Sequence, residues 1–341
     1  MLVVDDAVVV RQVVARALAT EPNLEVVGLA PNGRVAMAML ARVRPDVVIL
    51  DLEMPEMNGL ETLAAIRASH PTLPVIVYSH LSEQGASATL EALALGATDF
   101  ALKPRADGIG LAVEEVRRDL VPQIMALAPP VAGSARPHGV AAGNRPSKVS
   151  AVVVATSTGG PNALAVLLAD LPADFRAPVF IVQHMPAVFT ATLAVRLDGL
   201  CPLPVVEASN GEVVAGGKVY IAPGGFHMEV TRRAGEVRIR LHEGAKENSC
   251  RPAADVLFRS SVTVYGAGVL ALVLTGMGRD GRDGAGAVRS AGGTVIAESE
   301  TTATVTAMPH AVAAAGLADM VLPIDRMADE CARRESMGRV R

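Results

Sequence analysis

Two doubly wound α/β domains in tandem are predicted by three features of this 341-residue chain. Short runs of Val, Ile, Leu and Ala alternate with stretches whose apolar residues recur at helical spacing. Aromatic residues make up 3% of a sequence that is 50% hydrophobic, a composition suited to parallel sheets covered on both faces by helices. A stretch rich in Pro and Gly then divides the alternation in two. The expected units are residues 1–121, an interdomain linker over 122–147 and a second domain over 148–333.

Charge and composition narrow the function classes. There are 31 Lys and Arg against 35 Asp and Glu, a formal net charge of −4, which disfavours a nucleic-acid-binding surface. No apolar run approaches the length of a membrane span, so no membrane insertion is expected. Asp5 and Asp6 follow a very short apolar start, which does not read as a signal peptide. Cys201, Cys250 and Cys331 are far apart and odd in number, and they read as free thiols of a reducing cytoplasm without metal-ligand spacing. A cytoplasmic location is therefore expected.

In the first domain, Leu2–Val4 reads as a strand, with Val10, Val14 and Leu18 on one face of the following helix. Leu24–Leu29, Val47–Leu50, Val75–Tyr78 and Phe100–Leu102 read as four further strands. Each is followed by a helical pattern, such as Leu60, Leu63 and Ile66 after the third. Five βα units of this length suggest a doubly wound sheet of flavodoxin-like order.

Polar residues stand where these strands end: Asp5 and Asp6 after the first, Asp51 after the third, Ser79 after the fourth, Lys103-Pro104 after the fifth. In flavodoxin-like order those four ends lie side by side. Carboxylates converging there repel one another unless a cation sits among them, and oxygen ligands with room for water favour Mg²⁺. Lys103 and Ser79 add a positive charge and a hydroxyl suited to an oxygen-rich anion on Asp51. Taken singly, each of these residues also suits a solvated strand end or a helix cap.

With Asp5-Asp6, Asp51 in VVILDLEMPEMNG, Ser79 and Lys103-Pro104 in place, residues 1–121 resemble the receiver domain of two-component response regulators. The resemblance implies that Asp51 accepts a phosphoryl group from a histidine kinase. It implies that Asp5, Asp6, Asp51 and the backbone carbonyl of Glu53 hold Mg²⁺, and that Ser79 and Lys103 contact the phosphoryl oxygens. Phe100 resembles the aromatic switch position, and Lys103–Pro104 is a candidate cis peptide. Ala7 stands where a hydroxyl residue is common, a departure that bears on the helix cap.

From Pro122 to Ser147 the periodicity dissolves into Pro129-Pro130, Gly133-Ser134, Pro137 and Pro146, and His138 within this linker reads as solvated. Ile124, Met125 and Leu127 can still continue the last helix of the first domain.

The second domain opens with Val152–Ala155, a buried-strand pattern that stops at Thr156-Ser157-Thr158-Gly159-Gly160 and passes into a helix marked by Leu164, Leu167 and Leu168. Ligands of open α/β sheets bind at such strand ends, and the helix N-terminus supplies N–H groups that can stabilise an oxyanion. A phosphate-binding turn or a plain tight turn has the same appearance. The stretch is not G-x-S-x-G. Pro178–Gln183 forms a second strand ending at His184, and Val269–Leu274 a third that runs into Thr275-Gly276-Met277-Gly278-Arg279-Asp280-Gly281. Shorter strands and a hairpin are expected around Tyr220–Pro223 and Met228–Leu241. Alone, His184 suits a structural role and Asp280 a helix N-cap. Together, Ser157, His184 and Asp280 supply a nucleophile, a base and a carboxylate to orient the base.

Ser-Thr-Gly-Gly, Gln-His-Met-Pro, Tyr-Ile-Ala-Pro-Gly, Arg251-Pro252 followed by Asp255-Val256-Leu257-Phe258, and Thr-Gly-Met-Gly-x-Asp-Gly occur together. This half resembles the catalytic domain of the chemotaxis protein-glutamate methylesterases, the CheB family. Receiver, linker and esterase in that order resemble the family over almost the full chain. The resemblance implies Ser157 as nucleophile, His184 as base and acid, and Asp280 as orienter, with Thr158 and Met277 in the oxyanion region. It implies hydrolysis of glutamate γ-methyl esters on methyl-accepting chemoreceptors, deamidation of receptor glutamines, and no cofactor for the esterase reaction. Ala155-Thr156 departs from the usual Gly-Ala and Ala253 from the common Ser, and neither removes a catalytic group. Cys250 is a rival nucleophile by residue type, but no histidine spacing recommends it and it reads as structural. A non-catalytic, phospho-switched receptor-binding adaptor is the alternative function. A DNA-binding regulator is disfavoured because no basic stripe follows the linker.

Overall fold

The computed structural model describes residues 1–106, 108–127 and 148–337. The chain divides into two compact units whose boundary falls outside those residues. Most of the expected linker, 128–147, and His138 with it, lie outside the described residues.

In the first unit the elements alternate as β1 (Leu2–Val4), α1 (Val8–Leu18), β2 (Gly28–Ala30), α2 (Gly33–Leu40), β3 (Val48–Asp51), α3 (Gly59–Ser69), β4 (Val75–Ser79), α4 (Glu83–Ala94), β5 (Asp99–Leu102) and α5 (Ile109–Leu127). The sheet order is β2-β1-β3-β4-β5, with every pairing parallel. This is the flavodoxin-like arrangement expected from the sequence. β1, β3 and β4 are buried along their whole length, as apolar strands covered on both faces must be. Behind Asp51, a capping box starts α3: Asn58 Oδ1 accepts from Glu61 N and Glu61 Oε2 accepts from Asn58 N, both at 2.9 Å. Ala7 leaves α1 without a side-chain cap, and its N–H instead donates to Asp5 Oδ1 at 2.9 Å.

Two local expectations are corrected, and the continuation of the first domain's last helix through Ile124, Met125 and Leu127 is borne out. β2 is shorter than Leu24–Leu29 because it is an edge strand with a three-residue partner in β1. α5 runs through Pro122 to Leu127, past the loss of periodicity. A mid-helix proline costs about 3 kcal/mol. Beyond it, Ile124 at 0% and Leu127 at 9% exposure are buried, and burying one such side chain contributes about 1.5–3 kcal/mol, enough to carry the helix on. Lys103–Pro104 is not cis; among the described residues the cis peptide is Arg251–Pro252.

The second unit runs β6 (Ala151–Thr156), α6 (Gly160–Ala169), β7 (Val179–Gln183), α7 (Ala187–Asp198), β8 (Val205–Glu207), β9 (Val219–Ile221), β10 (His227–Arg233), β11 (Glu236–His242) and α8 (Ala254–Tyr265). It continues with β12 (Val269–Val273), α9 (Arg282–Ser290), β13 (Thr294–Glu298), α10 (Ala307–Ala314), β14 (Met320–Leu322) and α11 (Met327–Ser336). Seven strands form one parallel sheet in the order β14-β13-β12-β6-β7-β9-β8. β10 and β11 form the separate antiparallel hairpin that alternation predicted. β8, β13 and β14 were not anticipated, since runs of three to five residues carry too little period to separate a strand from a loop or helix end.

The core lies between sheet and helices, with Phe180 stacked on Tyr220 at a centroid distance of 5.5 Å. From β6 the chain builds outward through β7, then returns to lay β12 against the other side of β6. The order reverses there, so β12, β6 and β7 are neighbours whose carboxyl ends flank the switch point where open sheets bind ligands. No described helix is long and apolar enough to cross a membrane.

Candidate active site and phosphoacceptor pocket

Ser157 follows the last residue of β6 and is half-buried. Its N–H donates to Thr275 O at 3.0 Å, across to the end of β12. Its carbonyl accepts from Gly160 N at 2.8 Å and from Gln183 Nε2 at 2.9 Å. The turn is thus tied to both neighbouring strands. Gly159 has φ of 77°, a left-handed value that favours glycine, and it opens α6. A Cβ on Gly276 would lie 2.7 Å from Ser157 Cβ, so glycine there keeps the serine's space free.

Thr275 continues the support. Its Oγ1 bonds Thr158 O at 2.9 Å and its N–H donates to Glu298 Oε2 at 2.8 Å. Glu298 is 3% exposed, and burial pushes its carboxyl above the usual range despite the bonds from Thr275 and Thr302. Thr158 is buried, and Met277 is half-buried on the turn that follows β12.

His184 follows β7, and its N–H donates to Thr156 O at 3.1 Å. Its Nε2 lies 2.8 Å from Asp280 Oδ2. Asp280 does not cap its own helix. Gly281 occupies that position, and Asp280 instead accepts from Ala254 N at 2.6 Å and Asp255 N at 3.2 Å, at the start of α8. Burial works against the Asp280 anion, but the bonds from His184 and those backbone groups hold its carboxyl below the usual range. Burial likewise lowers His184, yet the hydrogen bonds to Asp280 and Cys250 outweigh it and push the imidazole up to about 9.

Two of the three expected residues are therefore directly joined. Among the described residues, Ser157 Oγ and His184 are not hydrogen-bonded to each other, a looseness common before substrate binds. The other imidazole nitrogen, Nδ1, lies 3.7 Å from Cys250 Sγ. Cys250, which no histidine spacing recommended and which reads from the sequence as structural, thus stands beside the His184 ring. Cys250 and His184 are 66 residues apart, and no spacing rule connects them. Gln183, Thr275, Glu298, Asn248 and Asp255 also support the site and were not singled out for it. Gln183, Thr275, Glu298 and Asp255 had as their one sequence signal a polar residue at or just past the end of a strand or in the first turn of a helix, and Asn248 had only its place in a turn.

A base must be neutral to take a proton. With His184 raised to about 9, kcat/KM for an ester is expected to climb about tenfold per pH unit from pH 7 and level near pH 9. Cys250→Ala removes one of the raising contacts and should shift that limb to lower pH, which a pH–rate profile measures. The same shift links to folding. Because the folded value lies above 6.5, the pair's stabilisation is full below that pH and is lost as pH rises through about 9.

In the first unit, Asp5, Asp6 and Asp51 each offer a carboxylate oxygen within 4.8 Å of the others'. Asp5 and Asp51 are buried and Asp6 is exposed. Lys103 Nζ sits 2.8 Å from Asp5 Oδ2 and 2.7 Å from Asp51 Oδ2. Burial raises the Asp51 carboxyl, with Lys103 pulling it back. Burial lowers the Lys103 ammonium, but the two carboxylates raise it above its ordinary value. Three carboxylates against one ammonium leave negative charge, and an all-oxygen donor set of this kind suits a hard divalent cation such as Mg²⁺. Glu53 N lies 3.4 Å from Asp51 Oδ1, and Ser79 is buried with its hydroxyl 3.3 Å from Gly85 O. Phe100 is buried on β5, and its carbonyl accepts from Gln123 Nε2 at 3.3 Å.

Residues 152–331 match the family model described as CheB methylesterase, and residues 1–112 match that of the response regulator receiver domain. A protein-glutamate methylesterase/protein-glutamine glutaminase of Trichodesmium erythraeum is 44% identical over 98% of both chains. One from a Nocardioides species is 46% identical over 98% of this chain and 94% of its own. The crystal structure of the Thermotoga maritima CheB methylesterase catalytic domain is 43% identical, with a TM-score of 0.54 over 55% of this chain and 98% of that one. The chain belongs to the CheB methylesterase family, as a hydrolase whose N-terminal unit is a response-regulator receiver domain.

Proposed function

We propose that this chain hydrolyses glutamate γ-methyl esters on methyl-accepting chemoreceptors, and deamidates receptor glutamines, under control of phosphorylation at Asp51. The observation that carries the esterase reading is the His184 Nε2–Asp280 Oδ2 hydrogen bond beside the Ser157 turn, at the switch point of the sheet. Because Nε2 is bonded to Asp280, the proton leaving Ser157 Oγ goes to Nδ1. Oγ attacks the ester carbonyl, and the tetrahedral oxyanion develops near the N–H groups around Thr158 and Met277. The imidazolium returns its proton to the departing methoxide, which leaves as methanol. A water that loses its proton to His184 then attacks the acyl-serine, freeing the glutamate carboxylate and Ser157. With a glutamine substrate the leaving group is ammonia. Asp280 stays ionised throughout, holding the ring and stabilising its cation.

Asp5, Asp6, Asp51 and the Glu53 carbonyl would hold Mg²⁺, which when bound neutralises the charge of an incoming phosphoryl donor. A histidine kinase is the donor by this reading. Asp51 accepts the phosphoryl group, and Lys103 exchanges its bond to the carboxylate for one to a phosphoryl oxygen, joined by Ser79. A new charged contact worth about 1.4 kcal/mol between two receiver states suffices for tenfold control.

Methanol release from methylated receptor membranes tests the whole proposal. Phosphodonor is expected to accelerate the full chain. A fragment beginning at Ser147 is expected to exceed the unphosphorylated full chain and to ignore phosphodonor. A fragment no faster than the unphosphorylated whole would mean that the receiver activates rather than restrains. No methanol from any form would leave the receptor-binding adaptor as the function.

A further inference from the structure

Asp280 has a second side-chain partner that the triad reading does not use. Glu247, Asn248, Ser249 and Cys250 form a tight hairpin turn, closed by Cys250 N donating to Glu247 O at 2.8 Å and Glu247 N to Cys250 O at 3.2 Å. Both central residues are left-handed, Asn248 at φ 50° and Ser249 at φ 65°. That combination is the type I′ turn, in which Asn is favoured at the first central position and Gly usually fills the second. A serine in the second is held in a strained backbone conformation.

The turn sends the Asn248 side chain between two buried carboxylates. Asn248 Nδ2 donates to Asp280 Oδ1 at 3.0 Å and to Asp255 Oδ2 at 2.8 Å. A carboxylate can only accept, so the amide must present its NH₂ to both, and the orientation is fixed by chemistry. Asp255 is itself anchored, accepting from Gly284 N at 2.6 Å through its other oxygen. Exposure is 2% for Asp255 and 1% for Asp280, so little water separates two like charges. Each Asp280 oxygen thus has a distinct pair of donors: Oδ2 takes His184 and Ala254 N, and Oδ1 takes Asp255 N and Asn248.

We propose that Asn248, itself held by Asp255, is a positioning residue for the esterase: its amide bridges the Asp255 and Asp280 carboxylates and keeps Asp280 turned so that Oδ2 meets His184 Nε2. The proposal rests on the triad reading of Ser157, His184 and Asp280. Without the amide, Oδ1 keeps one backbone donor and the two carboxylates face each other unscreened. Asp280 then rotates or shares a proton with Asp255, and the imidazole loses its orientation.

Asn248→Gly and Asn248→Asp test this in the full-length protein with phosphodonor present. Both residues tolerate the left-handed backbone, so the turn survives, but glycine has no side chain and aspartate, with at most one O–H, cannot donate to both carboxylates. In both, kcat for methyl-ester hydrolysis is expected to fall by about ten- to a hundredfold with KM little changed. The downfield proton resonance of the His184–Asp280 hydrogen bond is expected to shift or broaden. A role confined to the turn would leave Asn248→Gly with native kcat and an unmoved resonance, and that result overturns the proposal. Asp280→Asn is the control. Loss of kcat there alongside native Asn248→Gly would sink the positioning role alone, whereas native kcat in Asp280→Asn would sink the triad reading and this proposal with it.

Discussion

Ser157→Ala is expected to abolish methyl-ester hydrolysis, lowering kcat by about 10⁴- to 10⁶-fold while phosphorylation at Asp51 and the melting temperature stay as in the parent chain. The size follows from the chemistry. Without Oγ no acyl-enzyme can form, and water attacking directly has only the polarised carbonyl and substrate binding to help it. His184→Ala should fall equally far, because a triad acts as a unit and its losses do not add. Folding should be indifferent, since the Ser157 turn is held through main-chain atoms, Ser157 N to Thr275 O and Ser157 O to Gly160 N and Gln183 Nε2, none of which the substitution touches. Burst kinetics with an activated ester provide the direct readout. Turnover in Ser157→Ala above the residual expected of an oxyanion site would show that another group, with Cys250 the nearest candidate to His184, is the nucleophile.

Asp51→Asn is expected to eliminate labelling by a small phosphodonor such as acetyl phosphate, and with it all phosphodonor activation of the esterase. An amide oxygen is far too weak a nucleophile for phosphorus, and the pocket loses one of its three carboxylates. Asp6→Asn should weaken labelling without abolishing it. Asp6 is exposed and unpaired with Lys103, so its contribution is charge toward Mg²⁺. Chelation of divalent cations should silence the parent chain equally. Labelling that persists in Asp51→Asn, or that ignores chelator, would refute the acidic pocket. Stability should move in the opposite sense to function. Asp51 is a buried carboxylate that burial penalises, and Lys103 retains Asp5 as a partner when Asp51 becomes neutral.

Much of this protein was legible in its sequence because the relevant signals are local. A buried parallel strand announces itself as an uninterrupted apolar run, and a functional residue in this fold class stands just beyond it. Asp5, Asp51, Ser157 and His184 were singled out as candidates that way. Each lies at the end of a strand or one residue past it, as the strand spans place them. Asp280 lies farther from β12, yet its Gly-rich turn marked it. The sequence left the outcome open where a weak local preference met a tertiary gain. Pro122 signalled a helix end, but the burial of Ile124 and Leu127 carried α5 on.

The sequence by itself determined two α/β units, the family, and the residue types available at each strand end. Only the tertiary structure decided which of those residues touch. That Nε2 rather than Nδ1 of His184 meets Asp280, that Cys250 stands at the other nitrogen, that Lys103 bridges Asp5 and Asp51, and that Asn248 lies between Asp255 and Asp280 are all non-local facts. The physical reason is that period and turn chemistry constrain a few neighbouring residues. A contact between residues 96 positions apart, as His184 and Asp280 are, is set by which strands lie side by side and where each leaves the sheet. Strand order comes from packing the whole domain, and the chain's return to lay β12 against β6 is written in no short segment.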